Sequence, residues 1–236
     1  MKILTITVVV LAALFVAVDR IAVHYAQREA ARLATTKYGF GDSTDGSTRV
    51  GIDGFPFLTQ ALSGDFDHVT LTAGKFFVDS GDNAVGGYLD VQRLRLDMHG
   101  VQVTSLTSRT AQADLVTGDM TLTYADLSGA LTRLASQGGP LTVTPAPGSQ
   151  GQAGRVHVSG TRDGRPVSVT ATVLAQGDEV MIEVPGVTAR PLDWKLSLPV
   201  NVGFTSATST PTGVDLAMVG HQVTLGSSVF TGGAGR

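Results

Sequence analysis

Gly54-Phe55-Pro56-Phe57-Leu58-Thr59-Gln60 lies between an apolar leader and a long strand-rich body, and it carries no group that performs chemistry. Two Phe and a Leu surround a Pro that has no backbone N–H to donate, which suits a bend or a sheet edge more than a central strand. On its residues alone the stretch predicts a core-forming strand corner.

Upstream of it, Lys2 precedes an apolar or Thr-containing run from Ile3 to Val18, closed by Asp19 and Arg20. As a helix this run spans roughly 24 Å at ~1.5 Å per residue, short of the ~30 Å hydrocarbon core of a bilayer. Extension through Ile21-Ala22-Val23 covers the rest if Arg20 snorkels to the headgroups. A cleaved signal peptide is the rival reading, but small-x-small spacing is poor: Phe15 precedes Ala17 at the −3 position and Arg20 precedes Ala22. We therefore expect an uncleaved signal anchor with Lys2 on the cytoplasmic side and the body outside the membrane. Ala22, Ala26, Ala30, Leu33 and Ala34 then recur at helical spacing opposite Gln27, Arg28, Glu29 and Arg32, which predicts a helical extension to about Tyr38. This small-residue stripe suits close packing, or a solvated stalk. Gly39, Gly41, Asp42, Ser43, Asp45 and Gly46 break the helix.

Downstream, period-two alternation dominates. Val69 and Leu71, Val156 and Val158, Val167 to Val173, Val180 to Val184, Leu196 to Phe204, and Val223 and Leu225 all read as strands. Pro199 hints at an edge or bulge. Asp163-Gly164 and Gly177-Asp178 read as tight turns. Between Leu89, Val91 and Leu94, Leu96, Met98 the parity switches, which predicts a bulge that bends the strand. Leu127, Leu131 and Leu134, with Ala130 and Ala135, repeat at three to four residues and predict a short amphipathic helix over 125–137, ended by Gly138-Gly139-Pro140. Its stripe packs on a sheet, or in part lines a cavity. Thr144 to Gly154 and Thr205 to Thr212 read as loops. The expected organisation is an anchor and helical extension over 1–38, one β-rich domain over 39–230 and a disordered tail over 231–236. In fold class this is α+β: a strongly curved antiparallel sheet around a helix, behind an N-terminal membrane-anchor helix.

The 236 residues carry a net charge of −3 with no dense basic patch, which argues against nucleic acid as a partner. With no Cys there is no disulfide, thiolate site, cysteine nucleophile or lipobox. Nucleophile-elbow, HExxH, P-loop and dinucleotide fingerprints are missing. His24, His68, His99, His157 and His221 lack metal-ligand spacing. Asp42 and Asp45-Gly46 lack the alternating ligands and closing Glu of a calcium loop. Asp65, Asp67, Asp90 and Asp97 read as solvated strand-face residues. Arg93 and Arg95 share one side of a strand, as solvent-facing charges or as a pair able to meet a phosphate. No cofactor and no metal are expected.

Gly54 to Gly64, followed by Phe66, Val69 and Leu71, resembles the signature of the LmeA-like family of actinobacterial cell-envelope phospholipid-binding proteins. Leu89 to Val103 is similar to that family's strand pair, and Thr121-Leu122-Thr123-Tyr124-Ala125-Asp126-Leu127 to its strand-into-helix passage. Leu198-Pro199-Val200, Gly213-Val214 and Gly220-His221-Gln222-Val223-Thr224-Leu225 resemble its closing strands. The resemblance implies a tubular, BPI-like lipid-binding architecture in which the curved sheet wraps a helix and leaves an apolar groove. It also implies a phospholipid or other acylated envelope lipid as partner.

The function expected first is therefore non-enzymatic binding of phospholipid acyl chains, in transfer or sensing, by a membrane-tethered envelope protein. Such a groove needs apolar walls and no catalytic groups, since each buried CH₂ gains ~0.8 kcal/mol. Phe55, Phe57, Leu58, Phe76, Phe77, Leu127, Leu131 and Leu134 are the candidate lipid-binding residues, most of them equally suited to a sealed core. Trp194 reads as an interfacial or core aromatic. Two other classes stay open: an envelope enzyme acting on lipid or polysaccharide through dispersed acid/base groups, and a structural adaptor that binds a protein by strand addition.

Overall fold

The computed structural model describes residues 2–38, 48–79, 88–105, 107–108, 110–134, 139–148, 154–162, 164–185, 192–195 and 198–226. The expected boundary at Gly39–Gly46, the end of the 125–137 helix, residues 149–153 of the Pro/Gln-rich loop, Leu196–Ser197 and the tail fall outside these residues.

The leader and its extension form one unbroken helix, α1 (Lys2–Tyr38). Then follow β1 (Arg49–Asp53), α2 (Phe57–Ser63), β2 (Asp65–Ala73), β3 (Phe76–Asp79), β4 (Tyr88–Val91), β5 (Arg93–Ser105) and β6 (Thr110–Thr123). After them come α3 (Tyr124–Leu134), β7 (Leu141–Pro145), β8 (Arg155–Arg162), β9 (Arg165–Gln176), β10 (Glu179–Glu183), β11 (Leu192–Lys195), β12 (Val202–Ser209) and β13 (Gly213–Leu225). The fold is α+β, with antiparallel sheets. One sheet has the order β1-β2-β5-β6-β13-β12, a second β11-β10-β9-β8-β7, and β3–β4 is a separate hairpin.

The two large sheets meet along β12. Gly177 and Phe204 exchange backbone hydrogen bonds of 3.1 and 2.6 Å, the Gly154 N–H donates to the Ala207 carbonyl at 2.9 Å, and the buried Ser209 hydroxyl donates to the Arg155 carbonyl at 2.7 Å. A single apolar cluster draws Leu71, Leu94 and Leu216 from the first sheet, Val158, Val173 and Ile182 from the second, and Leu127 and Leu131 from α3.

The first sheet carries a transverse crease. Inward-facing residues run 94, 96, 98 and then 101 in β5, 122, 120, 116 and then 113 in β6, and 214, 216, 218, 220 and then 223 in β13. The register sets Val101 opposite Ala113 and Ala113 opposite Val223, so the face changes at one level in all three strands. Positive φ at Gly100 (61°) and Gln222 (51°) produces the step. A side chain on Gly100 would run into the Asp114 carboxylate, and Gln222 ties the step together by donating to Asp114 (2.9 Å) and accepting from Gln112 (2.7 Å). Local twist of this kind bends a sheet.

Four local expectations change. Gly54–Gln60 is a turn into a helix, because Pro56 after a cis peptide bond takes the N-cap position, where a missing N–H costs nothing, and Gly64 closes α2 with a left-handed φ of 76°. The parity switch after Val91 is a break between β4 and β5 at Gln92, whose N–H bonds the Thr121 carbonyl at 2.9 Å, and not a bulge inside one strand. The strand expected over Leu196–Phe204 begins only at Val202, after a turn with Asn201 at φ 69°. The loop expected over Thr205–Thr212 is mostly β12, in which a register shift between Phe204 and Ser206 interrupts the alternation.

Candidate lipid-facing site

Gly54, Phe55, Phe57, Leu58 and Gln60 of the Gly54–Gln60 stretch each have a structural tie. Gly54 sits at φ 105°, where a Cβ would also strike the Gln60 amide. Phe57 is buried and packs on Phe66 with ring centroids 6.2 Å apart. The Gln60 amide donates to the Asp53 carbonyl (3.4 Å) and accepts from the Asp67 N–H (3.0 Å), fixing both chain ends of the turn. Pro56 offers no side-chain cap. The cap comes instead from α1: Asp19, fully buried, accepts the Leu58 N–H at 2.8 Å and pairs with Arg20 at 3.0 Å. The Arg20 guanidinium stands over the Phe55 ring at 5.1 Å. The signature thus locks α2 to the residue at which the apolar run of α1 ends.

Beyond the lock, α1 lies on the domain. Val23 is buried, the Gln27 amide donates to the Ile52 carbonyl (3.3 Å), and Ala34 packs on the core. Before it, Val9, Leu11, Leu14, Phe15 and Val18 are exposed. The helix is long and apolar enough to cross a membrane, by length and composition.

The second apolar region surrounds α3. Thr123 and Asp126 start this helix as a reciprocal box: the Asp126 N–H bonds the Thr123 hydroxyl (3.1 Å) and the Asp126 carboxylate accepts the Thr123 N–H (3.1 Å). Ser128 and Thr132, one turn apart, then cover the edge of β7: the Ser128 hydroxyl takes the Val143 N–H at 2.7 Å, and Thr132 bonds both backbone groups of Leu141 at 3.1 and 3.2 Å. These bonds turn Leu127, Ala130 and Leu131 inward, all buried, against a cluster that includes Phe76, Leu89 and Val91 of the β3–β4 hairpin. Arg133 pairs with Asp90 of β4 at 3.7 Å. Burial pushes the Asp90 carboxyl above its ordinary range, and Arg133 opposes this.

The eight candidate residues therefore divide. Phe76, Leu127 and Leu131 share the interior cluster. Phe57 is buried, Leu58 half-buried and Phe55 exposed at the α1–α2 lock. Phe77 lies in β3 and Leu134 ends α3, with side chains outside the description, as is that of Trp194 in β11.

Polar groups gather on the outer face of the first sheet. Arg95 grips Asp97 through two bonds of 2.9 and 3.2 Å and so holds that carboxyl below the usual carboxylate range, burial opposing. His68 meets Asp53 at 3.0 Å and stacks on His99 at 4.4 Å. Its other ring nitrogen lies 3.4 Å from Asp97 without the alignment of a hydrogen bond. Arg93 stands 3.8 Å from Asp119, whose carboxyl burial raises. Arg93 and Arg49 line a cleft of about 470 Å³ with Thr72, Gln92, Thr121 and Thr212, at the sheet end opposite α2. Of the two arginines singled out from the sequence, Arg95 is committed to Asp97 and Arg93 faces this cleft. Among the described residues no group of three His, Asp or Glu is placed to hold a metal ion.

Asp19 and Leu62 went unsignalled in the sequence reading. By sequence Asp19 is only a stop to the apolar run, and Leu62, 90% exposed, lies past the Gly54–Gln60 stretch with no role of its own. The signal for Asp19 was an acid at the close of an apolar run inside a helix that continues.

A family model described as LmeA-like phospholipid-binding matches residues 17–234, nearly the whole chain, starting just before Asp19. No curated protein and no solved structure matches the chain.

Proposed function

The chain belongs to the LmeA-like phospholipid-binding family, and on that premise we propose that it binds phospholipid without turning it over, tethered by α1 at the cell envelope. The acyl chains take the apolar interior beside α3, and they enter between α3 and the β3–β4 hairpin. The observation that carries this reading is the placement of Leu127 and Leu131 on a helix that closes one edge of a core shared by both sheets. Transfer of each CH₂ from water into such surroundings gains ~0.8 kcal/mol, so chain length, not a catalytic group, supplies the affinity. At that seam Arg133 and Asp90 pair at 3.7 Å. Transfer, sensing and support of envelope lipid or lipoglycan synthesis all use the same bound state.

The test is the full chain in vesicles containing a phospholipid with a photoreactive acyl chain. Cross-links to peptides from α3 and the β3–β4 hairpin, with recovered lipid unchanged in mass, support the reading. Cross-links confined to Ile3–Val18 refute the interior site. Chemically altered lipid moves the protein to the enzyme class.

A further inference from the structure

We propose that α2, with Phe55, forms a foot that dips into the headgroup level of the bilayer α1 enters, so that the domain stands on the membrane surface by apolar insertion. This rests on the anchoring role of α1.

The argument is one of lengths. From Asp19 onward α1 is committed to the domain: Asp19 is fully buried under α2, and Val23 is 9% exposed. Only the stretch before Asp19 is free to span, and Ile3–Val18 covers roughly 24 Å. A hydrocarbon core of ~30 Å leaves a deficit of about 6 Å. The interfacial layer on each side is about 5–8 Å deep, given a total thickness of ~40–45 Å. The first layer of protein above Val18 must therefore sit within that interface, and the Leu58–Asp19 bond makes α2 that layer.

The side chains suit this depth. Phe55 is 57% exposed and Leu62 90% exposed, two large apolar groups on the same short segment that turns toward α1. Ile21 and Tyr25, one turn apart on α1, are also exposed. Tyrosine is enriched at that boundary, and Arg20 over Phe55 places a cation where phosphates lie. Asp53, Asp65 and Asp67 are exposed nearby, so attraction to anionic lipid does not drive the contact. Insertion should be indifferent to salt and to lipid charge.

The chain has no Cys, so single cysteines carry an environment-sensitive fluorophore cleanly. Full-length Leu11→Cys, Phe55→Cys, Leu62→Cys and Lys75→Cys proteins are labelled and reconstituted in phosphatidylcholine vesicles, with and without phosphatidylglycerol. Nitroxide lipids quench either near the headgroups or near the midplane. The proposal expects blue-shifted emission at Phe55→Cys and Leu62→Cys with loss of intensity to the shallow quencher, in both lipid mixtures. Lys75 follows the far end of β2, about 26 Å from α2 at ~3.3 Å per residue, and its label should stay aqueous. Aqueous emission at Phe55→Cys and Leu62→Cys, with Leu11→Cys quenched near the midplane, overturns the foot and leaves the anchor standing. An unquenched Leu11→Cys removes the anchor and the foot with it. Insertion seen only with phosphatidylglycerol, and lost in salt, overturns apolar insertion.

Discussion

Replacing Asp19 with Ala should release α2 while leaving the sheets folded. The Asp19 carboxylate accepts the Leu58 N–H at 2.8 Å and is fully buried, so the variant removes a hydrogen bond to a charged group and orphans a helix donor. Such bonds contribute ~1.5–3 kcal/mol, and an N-cap ~0.5–2 kcal/mol. Removing a buried charge returns part of its desolvation cost, and the Arg20 pair, with Arg20 half-exposed, adds little. The net local loss is about 1–2 kcal/mol. A helix this short cannot hold itself without tertiary support, so the loss should appear as opening of the Gly54–Gly64 segment. At about 1.4 kcal/mol per tenfold, hydrogen exchange at the Leu58 amide should accelerate roughly 5- to 30-fold, with amides of β5, β6 and β13 unchanged. Asp19→Asn keeps an acceptor and should fall between wild type and Asp19→Ala. Unchanged Leu58 exchange in Asp19→Ala would refute the lock.

Leu131→Trp overpacks a fully buried position and should cost ~1–3 kcal/mol in thermal unfolding; lost lipid cross-linking in the folded fraction supports the interior site, and intact cross-linking at lowered melting makes the stripe plain core. Gly54→Ala should cost about 1 kcal/mol or more, because it combines φ 105° with a clash at Gln60, whereas Gly164→Ala, at φ 74° with open space around it, carries only the backbone strain. Asp97→Asn has a pH signature: the Arg95 bond lowers the folded carboxyl below its unfolded value of about 3.9, so its stabilisation is present above that pH and fades as pH falls through the lowered value. Urea midpoints of wild type and Asp97→Asn should differ at neutral pH and converge in acid.

The strands were legible wherever one face met the core in simple alternation, as along β9 and β10. The α3 helix was legible because Leu127, Leu131 and Leu134 keep a helical period that no strand of this chain shares. The short α2 left no such trace: Phe57 is its buried residue and Leu62 is exposed, so its apolar residues follow no buried stripe. Its cap lies 39 positions upstream, and no local pattern reports a tertiary cap. The crease was hidden for a related reason. It depends on a positive φ at Gln222, a residue that does not announce one, and on three strands stepping together through their register. In β12 the register shift at Phe204/Ser206 broke the alternation, and its Thr and Ser content then imitated a loop. Periodicity located the inward face of α3, but the same stripe serves a sealed core and a lipid wall equally, so the candidate site was legible in position and not in role.

The place at which the folded unit begins follows from the lock. A boundary at residue 39 would leave Asp19–Tyr38 as a passive stalk. Yet Asp19 caps α2, Val23 is buried, Gln27 bonds β1 and Ala34 packs on the core. Burying a Val gains about 1.5–3 kcal/mol and the cap about 1–2 kcal/mol, so deleting residues 1–38 should cost roughly 3 kcal/mol or more. At about 2–4 °C per kcal/mol for a domain of this size, the melting temperature should fall by roughly 6–12 °C. Deleting only residues 1–18 removes the apolar run, exposed from Val9 to Val18, and none of these contacts, so melting should stay within about 2 °C of the full chain. Differential scanning of the two truncations separates the cases. Equal melting of both would show that α1 contributes nothing after Val18, and the argument that α2 is held at a fixed height above the apolar run would fall with it.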